Sequence, residues 1–115
     1  MVGAAAWFVA GRGKGPPTGV AGLLQQDPGP ELISMWVAPH ERSQGIGAMF
    51  TRAVVDLATS QGATAVGLWV TVSNDTARTM YQRLGFEFTG EWAPLPHEVA
   101  TGEHRMRIVL GPGRS

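Results

Sequence analysis

The stretch "VAPHERSQGIG" at residues 37–47 joins a run that reads as a strand to a run that reads as an amphipathic helix. Gly45 and Gly47 stand where that helix should begin, shortly after Arg42. A turn is served by a single glycine. A helix N-terminus presents unpaired N–H groups and the positive end of the helix dipole. Glycines there let an anion reach those donors without meeting Cβ atoms. On these residues alone the corner reads either as a glycine-rich turn or as an anion cradle.

On its N-terminal side, "ELISMWV" (31–37) is almost continuously apolar, as a strand covered on both faces would be. On its C-terminal side, Ile46, Met49, Phe50, Ala53, Val54 and Leu57 recur at three- and four-residue spacing, which predicts a helix over 47–61. Gly62 suits its C-terminal cap. "AVGLWVTV" (65–72) reads as the next strand. "NDTARTMYQRL" (74–84) reads as a second helix, with Asn74 as N-cap, Asp75 in the first turn and Gly85 as the stop. Upstream, "AAWFVA" (5–10) and "GVAGLLQQ" (19–26) are strands; downstream, "FEFTGEW" (86–92) and "HRMRIVL" (104–110) are two more, joined by a proline-bearing loop.

The order is three strands, helix, strand, helix, two strands. Short connections make the first three an antiparallel meander, and the strand–helix–strand unit over 31–72 should be parallel and right-handed. The fold class is α/β with a mixed six-stranded sheet. Its 115 residues suit one domain, 1–115.

Nine Lys and Arg balance nine Asp and Glu, so the electrostatics of a nucleic-acid or anionic-membrane binder are missing. The densest basic pair is Arg105 and Arg107. The chain has no cysteine, which excludes disulfides, a thiolate nucleophile and cysteine-ligated metal. The opening "MVGAAAWFVA" is too short for a bilayer span and has no basic start, so a cytoplasmic location is expected. "GRGKG" (11–15) imitates a phosphate loop, but Lys14 is followed by glycine and two prolines rather than by Ser or Thr and a helix. It reads as a hairpin loop.

Asn74, Ala77, Tyr81 and Leu84 share one face of the second helix, and Asn74 lies about 10 Å along the axis from Tyr81. Taken singly, Asn74 reads as a cap and Tyr81 as a core aromatic. Taken together, "V-x-P-x-x-R-x-x-G-x-G" (37–47) and "N-x-x-A-x-x-x-Y-x-x-x-G-F" (74–86) resemble the GNAT superfamily of acetyl-CoA-dependent N-acetyltransferases over roughly residues 5–110.

The resemblance implies a GNAT-like sheet whose third and fourth strands splay to admit the pantetheine arm of acetyl-CoA. Backbone groups of Trp36 and Val37 would pair with that arm, and Arg42, Ser43, Gln44, Gly45, Ile46 and Gly47 would wrap the pyrophosphate. Asn74 and Ala77 would face the arm, and Tyr81 would lie near its sulfur as catalytic acid or hydrogen-bond donor. Glu31, eleven residues before Arg42, falls where one branch of the family carries a general base; its bland reading is a solvated carboxylate at a strand start. His97 and His104 qualify as bases only by chemical type. Without cysteine, direct transfer in a ternary complex to a small-molecule or protein amine is the implied route, with no metal.

Two departures stand out. Ser43 replaces a glycine often found after the motif's arginine, and the chain opens on what would be the family's second strand, without the usual first strand and two helices. The acceptor wall would then belong to a longer chain or to a partner, such as a second copy in a homodimer. Trp36, Trp69 and Trp92 could line an aromatic acceptor pocket, with Trp36 and Trp69 read as core. The competing functions are an acyl-CoA-binding domain without turnover and a nucleotide-binding module.

Overall fold

The computed structural model describes residues 2–11, 14–27, 29–42, 45–95 and 98–110. Its elements run β1 (Val2–Ala10), β2 (Gly19–Gln26), β3 (Glu31–Val37), α1 (Ile46–Ser60), β4 (Ala65–Thr71), α2 (Asp75–Arg83), β5 (Glu87–Leu95) and β6 (Glu98–Val109). A short 3-10 turn, Pro39–Glu41, separates β3 from α1. The six strands form one sheet in the order β1-β2-β3-β4-β6-β5. β1–β2 and β2–β3 are antiparallel, β3–β4 is parallel, and β6 pairs antiparallel with both β4 and β5. The expected meander, crossover and C-terminal strands are all present, and the last two strands are longer than their sequence pattern indicated. Gly11, Lys14 and Gly15 of "GRGKG" lie in the β1–β2 connection, which Thr18 N–H closes by donating to Ala10 C=O at 2.8 Å, while Arg12 and Gly13 lie outside the described residues.

Both helices pack on one face of the sheet. Its core joins Ala21, Leu23, Leu32, Val66, Leu68, Val70, Met106 and Ile108 of the strands to Phe50, Val54 and Ala58 of α1 and Tyr81 of α2. The buried stripe of α1 is rotated from the one expected: Met49 is exposed, whereas Thr51 is fully buried. Small residues explain the rotation. Gly47 lies under Met80 of α2, where a Cβ would come within 3.2 Å of the Met80 sulfur. Thr51 fits the interior because its hydroxyl donates to the Gly47 carbonyl at 2.7 Å.

The opposite face has a different character. Trp7, Val9, Trp36 and Trp69 are exposed there, and among the described residues no helix covers it. Reading Trp36 and Trp69 as core is therefore wrong; they are 43% and 37% exposed. The cause in β3 is a bulge. Trp36 pairs with Val20 and Ile33 with Gly22, so Ser34 and Met35 together oppose Ala21. Ser34 takes a positive φ of 55°, rare for a residue with a side chain. The extra residue reverses the in-out alternation, so Met35 joins the core side and Trp36 turns outward.

Gly85 terminates α2 at φ 107°. Its N–H donates to the Gln82 carbonyl at 3.1 Å and the Phe86 N–H to the Tyr81 carbonyl at 3.0 Å, the two bonds of a Schellman motif. Gly62 ends α1 in the same way. Gly85→Ala should lower stability by about 1–2 kcal/mol, because the new Cβ must adopt a positive φ and meet Ile108 Cδ1 at 3.2 Å. The midpoint of urea unfolding checks this.

Candidate active site

β3 and β4 share a single ladder pair among the described residues, Glu31 with Gly67. Beyond it they part, leaving a cleft of about 370 Å³ between Ile33–Met35 on one side and Trp69–Thr71 on the other, with Asn74, Ala77 and Tyr81 of α2 above. Ile33 and Trp69 belong to the open face, Val70 and Tyr81 to the helix-bearing face. The cleft therefore communicates between the two faces of the sheet.

Tyr81 is 4% exposed overall, and burial pushes its phenol up to about 12. The Schellman motif fixes its position. The same turn that ties the Phe86 N–H to the Tyr81 carbonyl packs the Phe86 ring edge-on against it, with centroids 5.6 Å apart. Asn74 caps α2, its Oδ1 accepting from Ala77 N–H at 3.1 Å. The capping and cleft-lining readings of Asn74 thus hold together, since its carboxamide NH₂ is not used by the cap.

At the glycine corner, Gly45 is the N-cap of α1 in the left-handed region, φ 81°. Met49 N–H makes the first helical bond, to the Gly45 carbonyl at 3.0 Å. Among the described residues no side chain caps the helix and no acid occupies its first turn. The N–H groups of Ile46, Gly47 and Ala48 thus sit at an uncapped positive helix end. Arg42 folds back on the strand, its Nε donating to the Val37 carbonyl at 2.9 Å. Ser43 and Gln44 lie outside the described residues. Gly45 is explained by its backbone conformation and Gly47 by the packing of Met80.

Glu31 is not the solvated carboxylate of its bland reading. It is buried; Oε1 pairs with Arg105 Nη1, and Oε2 accepts from Gln26 Nε2 at 2.6 Å. Both of its oxygens are thus engaged by neighbouring side chains. Arg105, which reaches the cleft-lining Glu31, shows in the sequence only as half of a local basic pair. An isolated glycine inside a strand, Gly67, was the available signal, since it marks a close approach. His104 packs edge-on against Phe88, centroids 5.4 Å apart, and does not line the cleft. Trp92 is exposed on the outer strand β5, also away from it. His97 lies outside the described residues.

A second hollow of about 570 Å³ lies between α1 and α2, lined by Arg52, Asp75 and Arg83 among others. It includes neither Tyr81 nor the divergent edge of β3. Among the described residues no three His, Asp or Glu side chains group to hold a metal ion, and no helix is long and apolar enough to cross a membrane.

Tyr81 is the sole tyrosine, so tyrosinate absorbance reports it alone. In the folded chain the absorbance should rise only near pH 12, against about 10 in denaturant. Since the folded state holds this proton more tightly, its contribution is complete below pH 10. About 2–3 kcal/mol of stability should be lost as pH rises from 10 to 12.

A sequence profile of the acetyltransferase (GNAT) family matches residues 3–86. Streptothricin acetyltransferase of Streptomyces lavendulae is 39% identical over 75 residues, which cover 64% of this chain and 40% of that protein. The chain thus spans well under half the length of this relative. The "IAA acetyltransferase" of Bacillus cereus superposes with a TM-score of 0.78 at 24% identity, covering 92% of this chain and 78% of that one. A Bacillus subtilis acetyltransferase in complex with CoA gives 0.77 at 18% identity, covering 93% and 78%. With its splayed β3 and β4, its glycine corner and its Asn74–Tyr81 helix face, the chain belongs to the acetyltransferase (GNAT) family.

Proposed function

We propose that the chain transfers an acetyl group from acetyl-CoA to a primary amine, directly and within a ternary complex. The observation that carries this reading is the cleft that runs through the sheet, with Tyr81 on one side and open surface on the other. The cofactor enters from the helix-bearing face. Its pyrophosphate lies against the N–H groups of Ile46, Gly47 and Ala48, within the loop that carries Arg42, Ser43, Gln44 and Gly45. Its pantetheine arm pairs with β3 at Trp36 and Val37, where β4 supplies no partner, and passes Asn74 and Ala77. The CoA complex of the Bacillus subtilis protein supports this choice of cofactor.

The acceptor approaches from the open face. Its nitrogen attacks the thioester carbonyl, the C–N bond forms, the C–S bond breaks, and the nitrogen sheds its proton toward solvent. A backbone N–H of β3 near Trp36 or Val37 stabilises the oxyanion, and Tyr81 meets the departing sulfur. A phenol near 12 is a weaker acid than a thiol near 8.5 in water. Tyr81 therefore acts first as hydrogen-bond donor and yields its proton only to a thiolate desolvated in the same cleft. Glu31 serves the site electrostatically, with both oxygens held. The streptothricin relative favours a small-molecule amine over a protein amine as acceptor. A homodimer through the β1 end of the open face, two strands from the cleft, belongs to the same reading, since Trp7 and Val9 lie exposed there. A monomeric mass by sedimentation would remove that part of it.

Acetyl-CoA at a hundredfold its Kd should stabilise the chain by about 2.7 kcal/mol, a shift of several degrees in Tm that ATP and NAD do not produce. Tyr81→Phe should keep the Kd for acetyl-CoA within about twofold and lower kcat by roughly 10²-fold or more. Unchanged turnover would remove Tyr81 from the chemistry, and binding without turnover in the wild type would leave an acyl-CoA-binding domain.

A further inference from the structure

Arg105 of β6 stands opposite Trp69 in the antiparallel ladder with β4. Its guanidinium carbon lies 5.5 Å from the Trp69 ring centroid, and Nη1 continues across β4 to Glu31 on β3. The crossing passes over Gly67, where a Cβ would come within 2.8 Å of Arg105 Cζ. Gly67 is also the ladder partner of Glu31, and its N–H donates to the Pro30 carbonyl at 3.1 Å. The other Glu31 oxygen is held by Gln26 of β2. One ion pair thus links four adjacent strands at the point beyond which β3 and β4 separate. Its side chains are 15% and 9% exposed.

A part-buried ion pair is weak evidence for added stability, because well-packed apolar residues often serve as well; what it can supply is a fixed registry. We propose that Arg105 is a positioning residue, which clasps Glu31 across Gly67 and thereby sets where the cleft opens. Glu31 anchors the clasp, and Gly67 is the gap in the sheet surface that lets the guanidinium through. Its consequence for catalysis rests on reading the cleft as the acetyl-CoA site, but the clasp itself is a property of the sheet.

Removing one partner strands a charge, so the informative variant removes both: Glu31→Leu with Arg105→Met. Gly67→Ala is the second variant, keeping both charges while filling the path. Amide exchange of the full chain, resolved by residue, reads the Gly67 N–H directly, with Leu23 in β2 as internal reference. In both variants protection of the N–H at position 67, taken relative to its intrinsic exchange rate, should fall by about tenfold or more against Leu23, and the Kd for acetyl-CoA should rise by about tenfold or more. Arg105→Lys, which keeps a cation opposite Glu31 but as a single ammonium, should retain most of both. Wild-type protection at Gly67 in the folded variants would overturn the clasp. Lost protection with a wild-type Kd would overturn its positioning role. If the wild-type chain fails to bind acetyl-CoA, the cofactor reading fails and the Gly67 exchange alone decides the clasp.

Discussion

From Leu32 onward, the groups of β3 that point toward β4 meet a gap instead of a strand. Backbone N–H and C=O groups must find partners, and leaving them unpaired inside a protein costs about as much as a lost hydrogen bond. Water can serve in an open cleft, but so can any extended molecule that carries amides at the spacing of a strand. The bulge at Ser34 and Met35 bends β3 away, and Glu31 with Gly67 marks the last point of contact. A positive φ at a serine is a local strain on the order of 1–2 kcal/mol. The fold retains that strain, and what it obtains is the divergence on which the cleft depends.

The two sides of the sheet divide the remaining work. On the helix-bearing side, Tyr81 of α2 shares one packed core with Val66, Leu68 and Met106, and the turn at Gly85 holds Tyr81 against Phe86. That side supplies a rigid, desolvated phenol and an uncapped helix end. The other side is lined by Trp7, Ile33, Trp36 and Trp69, interrupted by the polar Glu31–Arg105 pair. Because the cleft connects them, a group bound along β3 can be reached from the far side. In the proposed reaction the phenol and the acceptor would therefore stand on opposite sides of the sheet.

Much of this arrangement is legible in the residues. Apolar runs bounded by glycine and proline mark the six strands, three- and four-residue spacing and caps mark the two helices, and the spacing from Asn74 to Tyr81 puts both on one side of α2, which lines the cleft. Three features were not legible, for related reasons. The bulge reverses alternation partway along β3, so an almost continuous apolar run looked buried on both faces while Trp36 turned out. The stripe on α1 was misplaced because small residues, Gly47 and Ala58, and the self-satisfied Thr51 permit the closest approach, whereas hydrophobicity alone selects Met49. The Glu31–Arg105 pair joins residues far apart in sequence through a strand that lies between them. No local periodicity encodes such a contact; only the lone glycine at position 67 hints that something crosses.

The central claim is that the divergent edge of β3 is completed by acetyl-CoA acting as a strand, with its pyrophosphate on the first turn of α1. Residue-resolved amide exchange with and without acetyl-CoA tests it most directly. The account predicts new protection confined to two places, the β3 amides over 35–37 and the α1 amides over 46–48. Protection that appears instead around Arg52 and Arg83 in the hollow between the helices, or no change at either place, would contradict it.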